Sequence, residues 1–145
     1  MIFNIFRSKP TLGELIPNGF VDIHSHILPG IDDGAKNIEE SLRLISEMQK
    51  LGFSKITATP HTYPGIYDNK KNDIKKSFES IKNYIPKNME ITYASEYLIE
   101  TSLIKKIKNN SLLTIKNNYV LVEMSYLAGP LNLYEIIFEL NVNGY

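Results

Sequence analysis

Four short apolar runs alternate with amphipathic or loop segments along this chain, and each run carries an imidazole or a carboxylate to its C-terminal edge. The runs are "GFVDIHSH", "SKITATPH", "EITYASEY" and "NYVLVEMS". Between and after them lie "NIEESLRLISEMQKLGF", "NDIKKSFESIKNYI", a shorter "SLIKKIKN" with a brief strand predicted over "SLLTI", and finally "LNLYEIIFELNVNGY", helical until Asn143 and Gly144. The order strand, helix, strand, helix, strand, short helix, strand, helix predicts βα units and a parallel sheet or barrel. The first helix is the clearest. Asn37 stands at its cap, Glu40 three residues on as in a capping box, and Gly52 at its end. Ile38, Leu42, Ile45, Met48 and Leu51 recur on one predicted face. In the second helix Ile74, Phe78, Ile81 and Ile85 are expected inward. Residues 1–18, punctuated by Pro10, Gly13 and Pro17, read as an N-terminal arm, and residues 19–145 as one domain.

The edge residues carry the chemistry. His24 and His26 are two apart on an extended segment, so both imidazoles project to one side, as a single metal ion requires of two ligands on one strand. They fall at the end of the first strand, where β/α proteins assemble their sites. His61 falls at the corresponding end of the second strand, Glu96 at the third and Glu123 at the fourth. Glu123 sits inside "LVEMS", where an unpaired buried carboxylate is expensive and a metal ion would remove the cost. Asp22 shares the face of His24 and His26 and is expected to orient an imidazole from behind. Asp32 and Asp33 read from their spacing only as turn residues, because Asp-Gly is a turn signal.

Composition narrows the chemistry further. Sixteen basic and sixteen acidic residues cancel, so no global field argues for nucleic acid or a membrane surface. Only two of the basic residues, Arg7 and Arg43, are arginine, a poor endowment for bidentate phosphate or base recognition. The lysine-rich stretches are solvated helix faces without interleaved aromatic platforms. There is no cysteine, which excludes thiolate ligation and disulfides. Imidazole and carboxylate donors suit Mn²⁺, Zn²⁺ or Fe²⁺. Two or three such ions would bind an anionic ester, activate water and steady a leaving oxygen, so metal-assisted hydrolysis is the expected reaction class. The apolar start "MIFNIF" is too short for a secretory core or a membrane span, which predicts a cytoplasmic protein.

The blocks "DIHSHILPGIDDGAKNIEESL", "ATPH", "YASEY" and "YVLVEMS" resemble the PHP-type protein-tyrosine phosphatases of the CpsB/CapC/YwqE group, from about residue 18 onward. The resemblance implies a distorted, TIM-like β/α barrel of which this chain supplies roughly the first half. It implies two or three divalent ions, manganese preferred, and attack on phosphorus by a hydroxide bridging them, without a phosphoenzyme. It implies a phosphotyrosine protein as substrate, specifically a bacterial tyrosine kinase of capsule or exopolysaccharide synthesis. Residue by residue, His24 and His26 are implied as ligands of one ion, Glu96 as the bridge to a second, Glu123 as a ligand of that second ion, and Asp33 with His61 as ligands of a third. Asp33 is thus promoted from turn residue to ligand by the resemblance alone. In the family the strand after "NGY" carries an A-H-P-E-R motif and a D-x-H pair follows farther on; neither is among these 145 residues, so the chain reads as the N-terminal part of such a phosphatase, in need of another half or prone to self-association through unpaired strands. The alternatives are a PHP phosphoesterase for a small molecule such as histidinol phosphate, and an inactive fragment.

Overall fold

The computed structural model describes residues 9–17 and 19–145. Residues 1–8 and Asn18, all in the predicted arm, lie outside the described residues. The rest of that segment contains one helical turn, α1 (Leu12–Leu15), where an added Cβ on Gly13 would lie 3.2 Å from the Leu51 carbonyl oxygen.

The alternation predicted from the sequence is present. Strand β1 (Val21–Ser25) is followed by helix α2 (Ile38–Lys50), then β2 (Lys55–Ala58) and β3 (His61–Thr62), helix α3 (Lys71–Ile81), β4 (Glu90–Tyr93) and β5 (Glu96–Leu98). A short helix α4 (Leu103–Lys108), strand β6 (Leu121–Glu123) and helix α5 (Leu133–Val142) complete the order. The strands form two parallel three-stranded sheets, β1-β2-β4 and β3-β5-β6. "SLLTI" is not a strand. Leu112 is buried in the core instead, and the Leu113 N–H donates to the Tyr97 hydroxyl at 2.7 Å.

Of the two middle runs, the second is predicted as a strand halted by Pro60 and the third as one strand; each is broken in two. Pro60 has no N–H to donate to a ladder, so the second run leaves the first sheet after Ala58 and resumes at His61 in the second. The third run does the same after Tyr93 and resumes at Glu96. Buried Ser95 fills the break, sharing a 2.6 Å hydrogen bond with the Thr62 hydroxyl and donating to the Pro60 carbonyl. The register that follows pairs His61 with Glu96 and Leu98 with Glu123. Two chain breaks thus bring ligand-type residues to the same level of neighbouring strands.

Each sheet has its own core. Ile27, Leu28, Ile45, Ile56, Ile74, Phe78, Ile81 and Ile91 pack between the first sheet and α2 and α3, with Ile85 partly buried against them. Tyr97, Ile99, Leu103, Ile107, Leu112 and Ile136 form the second. The predicted inner face of α3 is therefore correct. That of α2 is correct in its middle, where Leu42, Ile45 and Met48 pack on this core, but not at its ends: Ile38 and Leu51 are exposed, while Ser41 is fully buried and its hydroxyl donates to the Ile27 carbonyl. The Asn37 cap forms as predicted, its side chain accepting from the Glu40 N–H at 2.9 Å. The Glu40 carboxylate reaches back to the Lys36 N–H rather than that of Asn37. Asn37→Ala is expected to cost about 1 kcal/mol, readable as a lower urea midpoint at unchanged slope.

Apolar side chains also remain outside both cores. Val21 and Ile23 on β1, and Tyr126, Leu127, Leu131, Tyr134 and Phe138 around α5, are exposed. Val21 and Ile23 line a groove of about 540 Å³ with Thr57, Tyr93 and Ile115, and none of the candidate ligands borders it. No helix among the described residues is long and apolar enough to cross a membrane.

Candidate metal centre

Parallel strands in register, and the loop after β1, place all six sequence-predicted ligands together. Three overlapping groups of donor atoms result, each with its atoms within 4.8 Å of one another: His24, His26 and Glu96; His26, Asp33 and His61; and His61, Glu96 and Glu123. The extended backbone of β1 turns both imidazoles to one side, and their Nε2 atoms stand 3.3 Å apart. Glu96 faces all three imidazoles. Its Oε1 is 3.2 Å from His24 Nε2, while its Oε2 is 3.6 Å from His26 Nε2 and 2.8 Å from His61 Nδ1. His61 spans two groups, with Nδ1 toward Glu96 and Nε2 3.4 Å from Asp33 Oδ1.

Burial separates an enclosed centre from an open rim. Glu96 is 2% and His61 12% exposed at the side chain, against 50% for His24 and 61% for Asp33. Glu123 is exposed, not buried as its apolar neighbours in sequence predict, because β6 ends at it. The buried carboxylate that a metal ion would relieve is therefore Glu96, not Glu123. Tyr63 and Tyr67 pack on the His61 ring, with centroids at 4.1 and 5.5 Å.

The donor set fits divalent cations. His61 Nδ1 and Glu96 Oε2 are buried and only 2.8 Å apart, yet neither has a hydrogen-bond partner of acceptable geometry among the described residues. Buried polar atoms in proteins are normally paired, and leaving one unmade costs about 1–3 kcal/mol. Two such atoms turned toward each other inside a cluster of three imidazoles and three carboxylates present lone pairs to a shared point. That is the chemistry of Mn²⁺, Fe²⁺ or Zn²⁺ ligation rather than of a closed hydrogen-bond network.

Asp22 does not take the role predicted for it. Its carboxylate accepts from the His24 backbone N–H at 3.1 Å, bracing the strand rather than a ring. The carboxylate that meets an imidazole is Asp32, whose side chain has no exposure and whose Oδ2 lies 2.8 Å from His26 Nδ1. From its spacing Asp32 reads only as a turn residue, and the doubled acid in "IDDGA" is the one signal of a further role. The Asp32 hydrogen bond raises the His26 pKa above the usual imidazole value against the opposing effect of burial. Burial pushes the Asp32 carboxyl upward, but hydrogen bonds from His26 and from the Gly34 and His61 amides outweigh it and hold the group below its ordinary value.

Residues 20–145 match the family model described as "Capsular polysaccharide synthesis, CpsB/CapC". Tyrosine-protein phosphatase CpsB of Streptococcus agalactiae is 35% identical over 109 residues, 72% of this chain and 45% of that protein. Tyrosine-protein phosphatase YwqE of Bacillus subtilis strain 168 is 26% identical over 129 residues, 86% of this chain and 51% of that protein. Among solved structures, a chain from the crystal structures of YwqE from Bacillus subtilis and CpsB from Streptococcus pneumoniae, described as unique metal-dependent tyrosine phosphatases, superposes with a TM-score of 0.76 at 27% identity. That superposition covers 87% of this chain and 53% of the other. The chain thus spans about half the length of the curated relatives it matches. With an α/β fold of parallel strands matching that structure and a family match over nearly its whole length, the chain belongs to the CpsB/CapC family.

Proposed function

We propose that the protein is a metal-dependent protein-tyrosine phosphatase whose substrate is a phosphotyrosine protein, specifically a bacterial tyrosine kinase of capsule or exopolysaccharide synthesis. The observation that carries the reading is the converging donor set, with its buried and unpartnered His61 Nδ1 and Glu96 Oε2, in a CpsB/CapC chain. His24, His26 and Glu96 would hold one ion, Glu96 and Glu123 a second with His61 at hand, and Asp33 and His61 a third with His26 beside them. Mn²⁺ is the expected metal. Such ions would supply Lewis acidity toward a phosphate monoester and lower the pKa of water.

The chain's own residues hold and shape the site. The exposed Asp33, His24 and Glu123 form its accessible rim, and Glu96 its enclosed floor. Residues 19–145 make up part of a PHP domain with barrel architecture. The exposed apolar residues of β1 and α5 would be covered by further polypeptide, from the rest of such a domain or a second copy. The protein would act in the cytoplasm.

The test is hydrolysis by the protein of a phosphotyrosine peptide against histidinol phosphate, with Mn²⁺ present and then chelated. The expected result is preference for the peptide and loss of turnover on chelation. Preference for histidinol phosphate would replace the proposal with a small-molecule phosphoesterase.

A further inference from the structure

The Asp32 side chain has no exposure, and a buried carboxylate is tolerated only where its oxygens are satisfied. Oδ2 accepts from His26 Nδ1 at 2.8 Å and from the His61 backbone N–H at 3.1 Å, and Oδ1 accepts from the Gly34 N–H at 2.9 Å. Each donor belongs to a different piece of the cluster: an imidazole of the β1 end, the first residue of β3, and the amide that follows Asp33. We infer that Asp32 is the positioning residue of the metal centre, fixing which nitrogen of His26 serves as ligand and tying the Asp33 loop to the His61 strand. The inference rests on the metal-centre reading above.

The chemistry is one of tautomers. An ionised carboxylate can only accept, so the 2.8 Å contact requires the proton on His26 Nδ1. In the neutral ring the lone pair is then on Nε2, the atom that lies 3.3 Å from His24 Nε2 and 3.6 Å from Glu96 Oε2. Nδ1, 3.9 Å from Asp33 Oδ1, is thereby withheld from ligation. His26 is committed to the group with His24 and Glu96, and the group at Asp33 is left to His61. Asn69 reinforces the tie, its amide donating to the Ile31 carbonyl at 2.8 Å and to the His61 carbonyl at 2.7 Å. The two side chains bracket the same junction, one through the amide of His61 and one through its carbonyl.

Asp32→Asn is a sharp probe because no orientation of the amide satisfies all three donors. With its oxygen toward His26 and His61, its NH₂ meets the Gly34 N–H. With its oxygen toward Gly34, its NH₂ meets the His61 N–H and forces His26 Nδ1 to become an acceptor, moving the ring proton to Nε2. Mn²⁺ binding to the protein and to its Asp32→Asn variant is followed by loss of the free-ion electron paramagnetic resonance signal, with Glu47→Gln on the α2 surface as control. A roughly 10–100-fold weaker affinity is expected for Asp32→Asn and none for the control. An independent readout needs no variant: in ¹⁵N spectra of the metal-free protein at alkaline pH, His26 should carry its proton on Nδ1, and Zn²⁺ should shift Nε2. Unchanged Mn²⁺ affinity in Asp32→Asn, or a protonated Nε2 in the parent, would overturn the inference alone. A parent protein that takes up no Mn²⁺ would overturn the metal-centre reading and the inference with it.

Discussion

Glu96→Gln is expected to abolish divalent-metal uptake at two of the three donor groups while making the metal-free protein more stable. Glu96 enters two of the three donor groups, so its loss removes a ligand from both at once. Loss of an outer hydrogen-bond partner typically costs 10–100-fold in metal affinity, and loss of a shared direct ligand is expected to exceed about 100-fold. The stability change has the opposite sign. The carboxylate is 1% exposed at the residue level, and its Oε2 lies without a hydrogen-bond partner opposite His61 Nδ1. A Gln amide of nearly the same shape removes the buried charge and offers an N–H where His61 Nδ1 can accept. The metal-free variant should gain about 1–2 kcal/mol. Urea denaturation in a chelator and Mn²⁺ titration calorimetry, run on the same two proteins, check the two halves. A variant that loses stability without metal would show that Glu96 is satisfied by the protein itself.

Gly34→Ala is expected to be the most damaging small substitution in the site. A Cβ there would lie 2.0 Å from the His26 carbonyl oxygen and 2.8 Å from its carbonyl carbon, backbone atoms that cannot step aside. The loop would have to open, breaking the hydrogen bond from the Ala35 N–H to the His26 carbonyl and moving Asp33 away from His26 and His61. A loss of about 3–5 kcal/mol follows from overpacking and broken loop bonds together, with metal affinity falling in parallel. Gly65→Ala makes the comparison. Gly65 has φ of +78° but nothing within 4 Å of a new Cβ, so only the left-handed backbone penalty of about 1–2 kcal/mol applies. Equal urea midpoints for the two variants would contradict the steric argument.

The periodicity of the sequence was enough to locate the helices, and the chemistry at the run ends was enough to single out five candidate ligands, His24, His26, His61, Glu96 and Glu123; the sixth, Asp33, came only from the resemblance. Both signals are local. What stayed hidden depended on which atoms meet across the fold. Pro60 was legible as a stop, but not the transfer of the chain into a second sheet, which needs the matching break at Ser95 on the neighbouring strand. Ser41 carries no burial signal in the apolar periodicity of α2, and it is buried through its hydrogen bond to the Ile27 carbonyl. Glu123 was expected buried from its apolar neighbours, but burial on a strand depends on what lies beyond its end. Asp32 takes the role expected of Asp22 for the same reason. Alternation along β1 puts Asp22 on the imidazole face, yet the loop through Gly34 folds back and brings Asp32 to the His26 ring first.

These imidazoles and carboxylates are expected to hold divalent ions together. Diffraction from Mn²⁺-soaked crystals, recorded for anomalous scattering, measures this directly. Anomalous peaks are predicted among His24, His26 and Glu96, among His61, Glu96 and Glu123, and beside Asp33 and His61. A density map without peaks at these positions, with His61 Nδ1 and Glu96 Oε2 still in direct contact, would contradict the account.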